Sequence, residues 1–209
     1  MTRLGFVVNL DACCDHRGCM TACMRKNGSF PGAHFIETYT AMDTSGDIDN
    51  PGTYFIPIMC QHCDRPSCAS ACPHGVIRKR DDGLVVMGDT DPCVGCDGTP
   101  CLDACPYDAI EFDRKEHRPG KCDGCADLVD AGGMPECVPN CFMGAIAFGD
   151  MEDEASVVSQ VVGQYGANAY RLKPETGNGP GVRYLLSRRP WRDMEGLYSP
   201  AWDDPQGQQ

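Results

Sequence analysis

Sixteen cysteines in 209 residues fall into four groups with repeated spacing, and nothing else in the chain restricts its fold as strongly. The second group is Cys60-x2-Cys63-x4-Cys68-x3-Cys72 with Pro73 behind it, and the third is Cys93-x2-Cys96-x4-Cys101-x3-Cys105 with Pro106 behind it. Their spacings are identical. The fourth opens as Cys122-x2-Cys125 and, after a longer insertion, closes as Cys137-x3-Cys141. Ile77, Ile110 and Ile146 each follow the last cysteine of their group at the same offset. Each begins a short alternating stretch, such as Ile110-Glu111-Phe112-Asp113. The repeating unit is a ligand loop, a helical turn and a short strand.

This spacing has a chemical reason. Two cysteines separated by two residues reach neighbouring irons from one tight loop. A third, a few residues on, completes a grip on one face of an iron–sulfur cube. The last cysteine, on the helical turn, points away from that cube, and in two-cluster ferredoxins it ligates the other cluster. Proline behind it ends the ligand run. Zinc sites read instead as two separated cysteine pairs closed by four ligands. A disulfide framework expects secretion. Met1 to Leu10 is too short for a signal h-region and reads as a first strand from Gly5, so no export signal is expected. No apolar run approaches the ~18 residues of a membrane span. The expected compartment is the cytoplasm, or the far side of a membrane if a partner with a twin-arginine signal carries the chain across.

Composition agrees with metal-supported folding. Only 8% of the residues are aromatic, while Gly (24) and Pro (16) are plentiful, so the chain is short of core-forming side chains. The net charge of −12 makes nucleic acid and anionic membrane poor partners. No GxSxG, P-loop, HExxH or dinucleotide fingerprint is present, and no catalytic residue is expected.

At these residues the chain resembles the iron–sulfur subunits of the molybdopterin (dimethyl sulfoxide reductase-type) oxidoreductases, over roughly 5–150. The resemblance rests on the strand and first loop Val7 to Cys13, on Cys60-Gln61-His62-Cys63 and Cys72-Pro73, and on Cys105-Pro106-Tyr107-Asp108-Ala109-Ile110. It extends to the interrupted loop Lys121-Cys122-Asp123-Gly124-Cys125 and Pro135 to Cys141. Leu172 to Gly177 and Val182 to Leu185 are similar to the tail of the small subunit of pyrogallol–phloroglucinol transhydroxylase and the related catechol dehydroxylases.

The resemblance implies an α+β fold of two nested ferredoxin-like halves, with short β-hairpins, short helices and an irregular C-terminal extension. The inner half would be 52–110, the outer half 1–51 plus 111–150, and the extension 151–209. It implies four 4Fe–4S clusters. One would take Cys60, Cys63, Cys68 and Cys105; a second, Cys93, Cys96, Cys101 and Cys72; a third, Cys122, Cys125, Cys137 and Cys23; the last, Cys13, Cys19, Cys141 and one further ligand. It also implies a large molybdopterin catalytic subunit as partner, with a membrane anchor or soluble donor beyond it. A free-standing polyferredoxin or an iron–sulfur storage or sensing protein fits the cysteine pattern as well.

The first loop departs from the family pattern C-x2-C-x2-C-x3-C. With Cys13, Cys19 and Cys23 in register, His16 stands where the second cysteine belongs and Cys14 is spare. In the x4 register of the next two loops, Cys14, Cys19 and Cys23 fit and Asp11 takes the first slot. Three outcomes follow: a His16-ligated cluster, a Cys14-ligated one, or a three-iron cluster.

Elsewhere, Phe35 to Tyr39 reads as a strand, Asp43 to Gly52 as a turn or surface loop, and Arg78 to Val86 as a hairpin. Glu154 to Tyr165 reads as a helix with Val157, Val158, Val161 and Val162 on one side. Beyond Tyr170 the chain is expected to bury little against itself and to wrap a larger subunit through Tyr184, Trp191, Tyr198 and Trp202.

Overall fold

The computed structural model describes residues 2–30, 32–42, 52–194 and 197–198. The alternating run at the start of the chain forms β1 (Leu4–Asn9), followed by α1 (Gly18–Asn27). β2 (Ile36–Ala41) and β3 (Tyr54–Met59) pair as an antiparallel hairpin from Ile36↔Met59 to Ala41↔Tyr54. The sequence signals only β2. β3 contains Pro57, which cannot donate to a ladder, and it lies at the sheet edge where that is tolerated. Of the Asp43 to Gly52 reading, residues 43–51 lie outside the described residues.

Two small units repeat the same plan. α2 (Ser67–Ala71) leads into the hairpin of β4 (Ile77–Lys79) and β5 (Val85–Met87). α3 (Pro100–Asp103) leads into the hairpin of β6 (Glu111–Asp113) and β7 (Arg118–Gly120). α4 (Ala126–Asp130) occupies the insertion of the fourth cysteine group, and β8 (Ile146–Asp150) follows that group. Ile77, Ile110 and Ile146 are all buried, so the repeat in the sequence is a repeat of packing. The α+β class with short helices and small hairpins is the observed one.

α5 (Val157–Tyr165), β9 (Ala169–Tyr170), β10 (Arg183–Leu185) and β11 (Leu197–Tyr198) follow among the described residues. β1 lies inside a four-stranded sheet of order β8-β1-β10-β9, antiparallel to β8 and parallel to β10. Strand alternation splits it: Phe6 and Val8 face the cysteine-lined core, while Val7 faces α5. On α5, Val158, Val161, Val162 and Tyr165 follow the i, i+3, i+4, i+7 pattern and pack near Val7 and Leu185. Val157, expected with them, is instead 65% exposed, because the first helical residue is turned off that stripe.

The segment beyond Tyr170 corrects the sequence reading. Leu172, Val182, Tyr184, Leu185 and Leu186 are buried, and β10 is an interior strand. Tyr184 donates to the Pro57 carbonyl at 3.1 Å and accepts from Gln61 Nε2 at 3.0 Å. Trp191 stacks on Tyr170 with ring centroids 4.7 Å apart. Two of the four aromatics read as partner anchors are therefore packed within this chain. The Tyr198 side chain and Trp202 lie outside the described residues. Among the described residues no helix is long and apolar enough to cross a membrane.

Candidate functional site

All sixteen cysteines are unpaired thiols, and ten of them are buried, so the middle of the molecule is built from donor atoms. Three cavities gather them. Cys23, Cys122, Cys125 and Cys137 line one of about 320 Å³, walled by Phe6, Ile36 and Met59. Cys60, Cys63, Cys68 and Cys105 line another of about 270 Å³, beside the buried Tyr107. Cys13, Cys19 and Cys141 line a third of about 280 Å³ together with His16. Cys72, Cys93, Cys96 and Cys101 form a fourth group close enough for their charges to repel: the Cys101 thiol is pushed up to about 11 by burial and then by Cys72, Cys93 and Cys96. The cysteines that the resemblance groups thus lie near one another.

Local structure explains how each loop divides its cysteines. α1 carries Cys19 and Cys23 four residues apart, and each serves a different cavity. α2 carries Cys68 and ends at Cys72, which joins the thiols of the following loop. Cys105, just past α3, crosses in the other direction. Tight backbone turns aim the thiols: Asp15, Arg17, His62 and Cys125 have φ between +45° and +57°. In the fourth loop Gly124 takes φ +77°, and a Cβ there would stand 2.9 Å from Leu84 Cδ2.

Backbone N–H groups point at several sulfurs. Val76 donates to Cys72 Sγ at 3.3 Å, Ala145 to Cys141 Sγ at 3.2 Å, and Gly124 to Cys122 Sγ at 3.4 Å. The Asn27 amide donates to Cys23 Sγ at 3.2 Å. At Cys72 burial opposes the thiolate, yet the N–H groups of Ile77, His74, Val76 and Gly75 outweigh it and the pKa falls below the ordinary value. Elsewhere burial dominates: Cys13, Cys23, Cys63 and Cys68 are each pushed up to about 12. Such thiols stay protonated until a metal binds the sulfur and the proton is released to solvent. Among the described residues no three His, Cys, Asp or Glu side chains converge on a single-ion site. The quartets ring a volume instead, which suits a polynuclear cluster.

In the first loop the candidates separate. His16 lines the cavity, and both ring nitrogens face backbone N–H donors, Gly18 N at 3.1 Å from Nδ1 and Phe142 N at 3.1 Å from Nε2; a neutral imidazole accepts at only one nitrogen, so binding a metal there would displace one of these contacts. Cys14 is exposed and lines none of the three cavities. Asp11 Oδ2 accepts from Ser187 N at 2.9 Å and from Ser187 Oγ at 2.6 Å, tying the loop to the segment after β10.

A family model described as a 4Fe-4S dicluster domain matches residues 52–151. One component of the anaerobic dimethyl sulfoxide reductase of Escherichia coli is 35% identical over 73% of this chain and 76% of its own length. This protein belongs to the iron–sulfur subunits of the dimethyl sulfoxide reductase-type molybdopterin oxidoreductases. A component of the sulfite dehydrogenase of Allochromatium vinosum is 34% identical over 90% of this chain and 85% of its own length. A component of the tetrathionate reductase of Salmonella typhimurium is 33% identical over 88% and 72%. The protein is thus an iron–sulfur electron-transfer subunit with 4Fe–4S clusters, and sixteen cysteines suit four of them.

Sequence reasoning missed the support behind the loops of this subunit. The stretch 177–181 hydrogen-bonds to the second loop: Asp64 N–H to the Gly179 carbonyl at 2.9 Å, Arg65 N–H to Asn178 at 2.9 Å, and Gly181 N–H to Gln61 at 2.7 Å. Gly181 is required there, since a Cβ would meet the His62 and Gln61 carbonyls at 3.0 and 3.1 Å. The Gly and Pro of this stretch were a signal of close backbone approach that reads equally well as a loose tail.

Proposed function

We propose that this subunit holds four 4Fe–4S clusters and passes single electrons along them, to or from a large catalytic subunit with a molybdenum or tungsten bis-pterin cofactor. The proposed ligand sets are Cys72, Cys93, Cys96 and Cys101; Cys60, Cys63, Cys68 and Cys105; Cys23, Cys122, Cys125 and Cys137; and Cys13, His16, Cys19 and Cys141. The clusters supply the one-electron chemistry. The protein's residues hold the clusters in order, exclude water and adjust potential through N–H groups and apolar walls.

The observation that carries this reading is the exchange of cysteines between loops. Cys72 and Cys105 cross between two quartets, and α1 delivers Cys19 and Cys23 to two cavities. Cys60 and Cys122 are near enough across the remaining boundary for their charges to interact. Each group therefore borders another, which supports a succession of four sites rather than scattered metal centres. A relay needs such a succession, whereas a storage protein does not.

For the reaction of the large subunit, the likeness of Leu172 to Gly177 to the transhydroxylase small subunit favours removal or transfer of aromatic hydroxyl groups. The relatives above carry the names of sulfoxide, sulfite and tetrathionate enzymes and lend that no support. The compartment follows the large subunit: the cytoplasm, or export beside a partner with a twin-arginine signal.

Anaerobic purification with the neighbouring large subunit tests the proposal. We expect a brown complex whose iron and sulfide contents and EPR spin count match four clusters per chain. A colourless zinc protein would sink the cluster reading, and a stable monomer that reduces several unrelated enzymes would favour a free polyferredoxin.

A further inference from the structure

Two buried side chains stand at the boundary between the Cys60 quartet and the Cys122 quartet. His62, 2% exposed, belongs to the loop of the first, between Cys60 and Cys63. Lys121, 5% exposed, directly precedes Cys122 of the second. Each reaches across to the other's quartet. Lys121 Nζ lies 2.5 Å from the Val85 carbonyl, 2.8 Å from the Cys122 carbonyl and 3.8 Å from Cys60 Sγ. An ammonium has three donors, so these three acceptors use them all. None is a carboxylate, although a buried amine ordinarily needs a counter-charge. A ligating thiolate at Cys60 supplies one.

His62 mirrors this arrangement. Its Nδ1 accepts the Val85 backbone N–H at 2.9 Å, which leaves the imidazole proton on Nε2. Nε2 stands 3.8 Å from Cys122 Sγ. Phe6 stacks on the ring at 5.6 Å and fixes its plane. A single residue of β5, Val85, thus holds both partners: its N–H orients the histidine and its carbonyl anchors the lysine.

We propose that Lys121 and His62 are a crossed pair of positioning residues that set the potentials of the two middle clusters, Lys121 acting through Cys60 and His62 through Cys122. This rests on the ligand sets proposed above. Hydrogen bonds to cluster sulfurs and nearby positive charge favour the more negative, reduced state and so raise the midpoint potential. Because the donors are exchanged, the two potentials are raised together, and the step across the boundary stays close to level.

EPR-monitored redox titration of the full complex tests this. In K121M one of the middle signals should fall by at least ~59 mV, a tenfold change in its one-electron equilibrium. K121R should recover most of that shift. H62F should lower a different signal from the one K121M moves most. Iron content should stay at the wild-type level in all three. Full iron content with unmoved potentials in both K121M and H62F overturns the proposal and leaves the ligand sets standing. A wild-type complex without iron overturns both. If K121M does not assemble, the unaltered complex decides the matter. With 15N-labelled lysine, a hyperfine coupling from Nζ to a reduced cluster supports the contact, and its absence overturns it.

Discussion

Asp11, Cys13, Cys14, His16 and Cys19 are five candidate donors within nine residues, and their side chains have different surroundings. Cys13, His16 and Cys19 line a cavity with Cys141, Cys14 faces solvent, and Asp11 is held by Ser187. Spacing alone left two registers open because both put a thiol at an acceptable interval. The backbone between Cys14 and Cys19 is left-handed at Asp15 and Arg17, at φ +55° and +57°, which no spacing rule anticipates. Cys14→Ser is therefore expected to leave iron content and all EPR signals unchanged. His16→Ala is expected to lower iron per chain and to produce the signal of an oxidised three-iron cluster. Loss of a cluster in Cys14→Ser with none in His16→Ala would reverse the assignment. An imidazole in place of a thiolate also removes negative charge, so His16→Cys should lower the potential of that cluster if it assembles.

At the scale of elements, β1, the hairpin after α2, the strand β6 and α5 were legible because each signals itself locally, by alternation, by turn residues or by a helical stripe; β7, the return strand of the second hairpin, gave no such signal. β3 and β10 were not legible either. β10 is three residues long between Gly/Pro-rich stretches, and its pairing is parallel to a strand almost the whole chain away. Such a strand is defined by what it packs against, which local propensity does not encode. Tyr184 shows the consequence. Its hydroxyl bonds both the Pro57 carbonyl and Gln61 Nε2 in a fully buried setting, joining β10 to β3 and to the second cysteine loop. Tyr184→Phe removes that oxygen while keeping the ring, leaving two buried polar groups short of a partner. The expected cost is about 1–3 kcal/mol, seen as a lower thermal unfolding midpoint of the iron-loaded protein at unchanged iron content. An unshifted midpoint would mean that the tail contributes packing alone.

Taken whole, the molecule puts ligands where other proteins of this size put leucine and phenylalanine. Cys19, Cys23, Cys60, Cys63, Cys68, Cys101, Cys122 and Cys137 share one core cluster with Phe6, Ile36, Tyr54 and Tyr184. The elements around them are short, the helices between the loops running four or five residues, too short to hold themselves together. The cysteine repeat made the metal content readable from sequence for the same reason that it leaves the fold dependent on metal: the residues that bind are the residues that pack. Stability should therefore follow iron. Stripping the clusters by oxidation in the presence of a chelator is expected to abolish the cooperative thermal transition and to leave the hairpins around α2 and α3 open to protease. The outer face of the β8-β1-β10-β9 sheet, closed by α5 through Val7, Val158 and Leu185, carries no cysteine and should be the last part to yield. Hydrogen exchange on the stripped protein distinguishes these regions. Protection retained at β1, β8 and β10 but lost at β4 to β7 is the expected pattern. Uniform protection equal to that of the loaded protein would show that the apolar contacts suffice without iron.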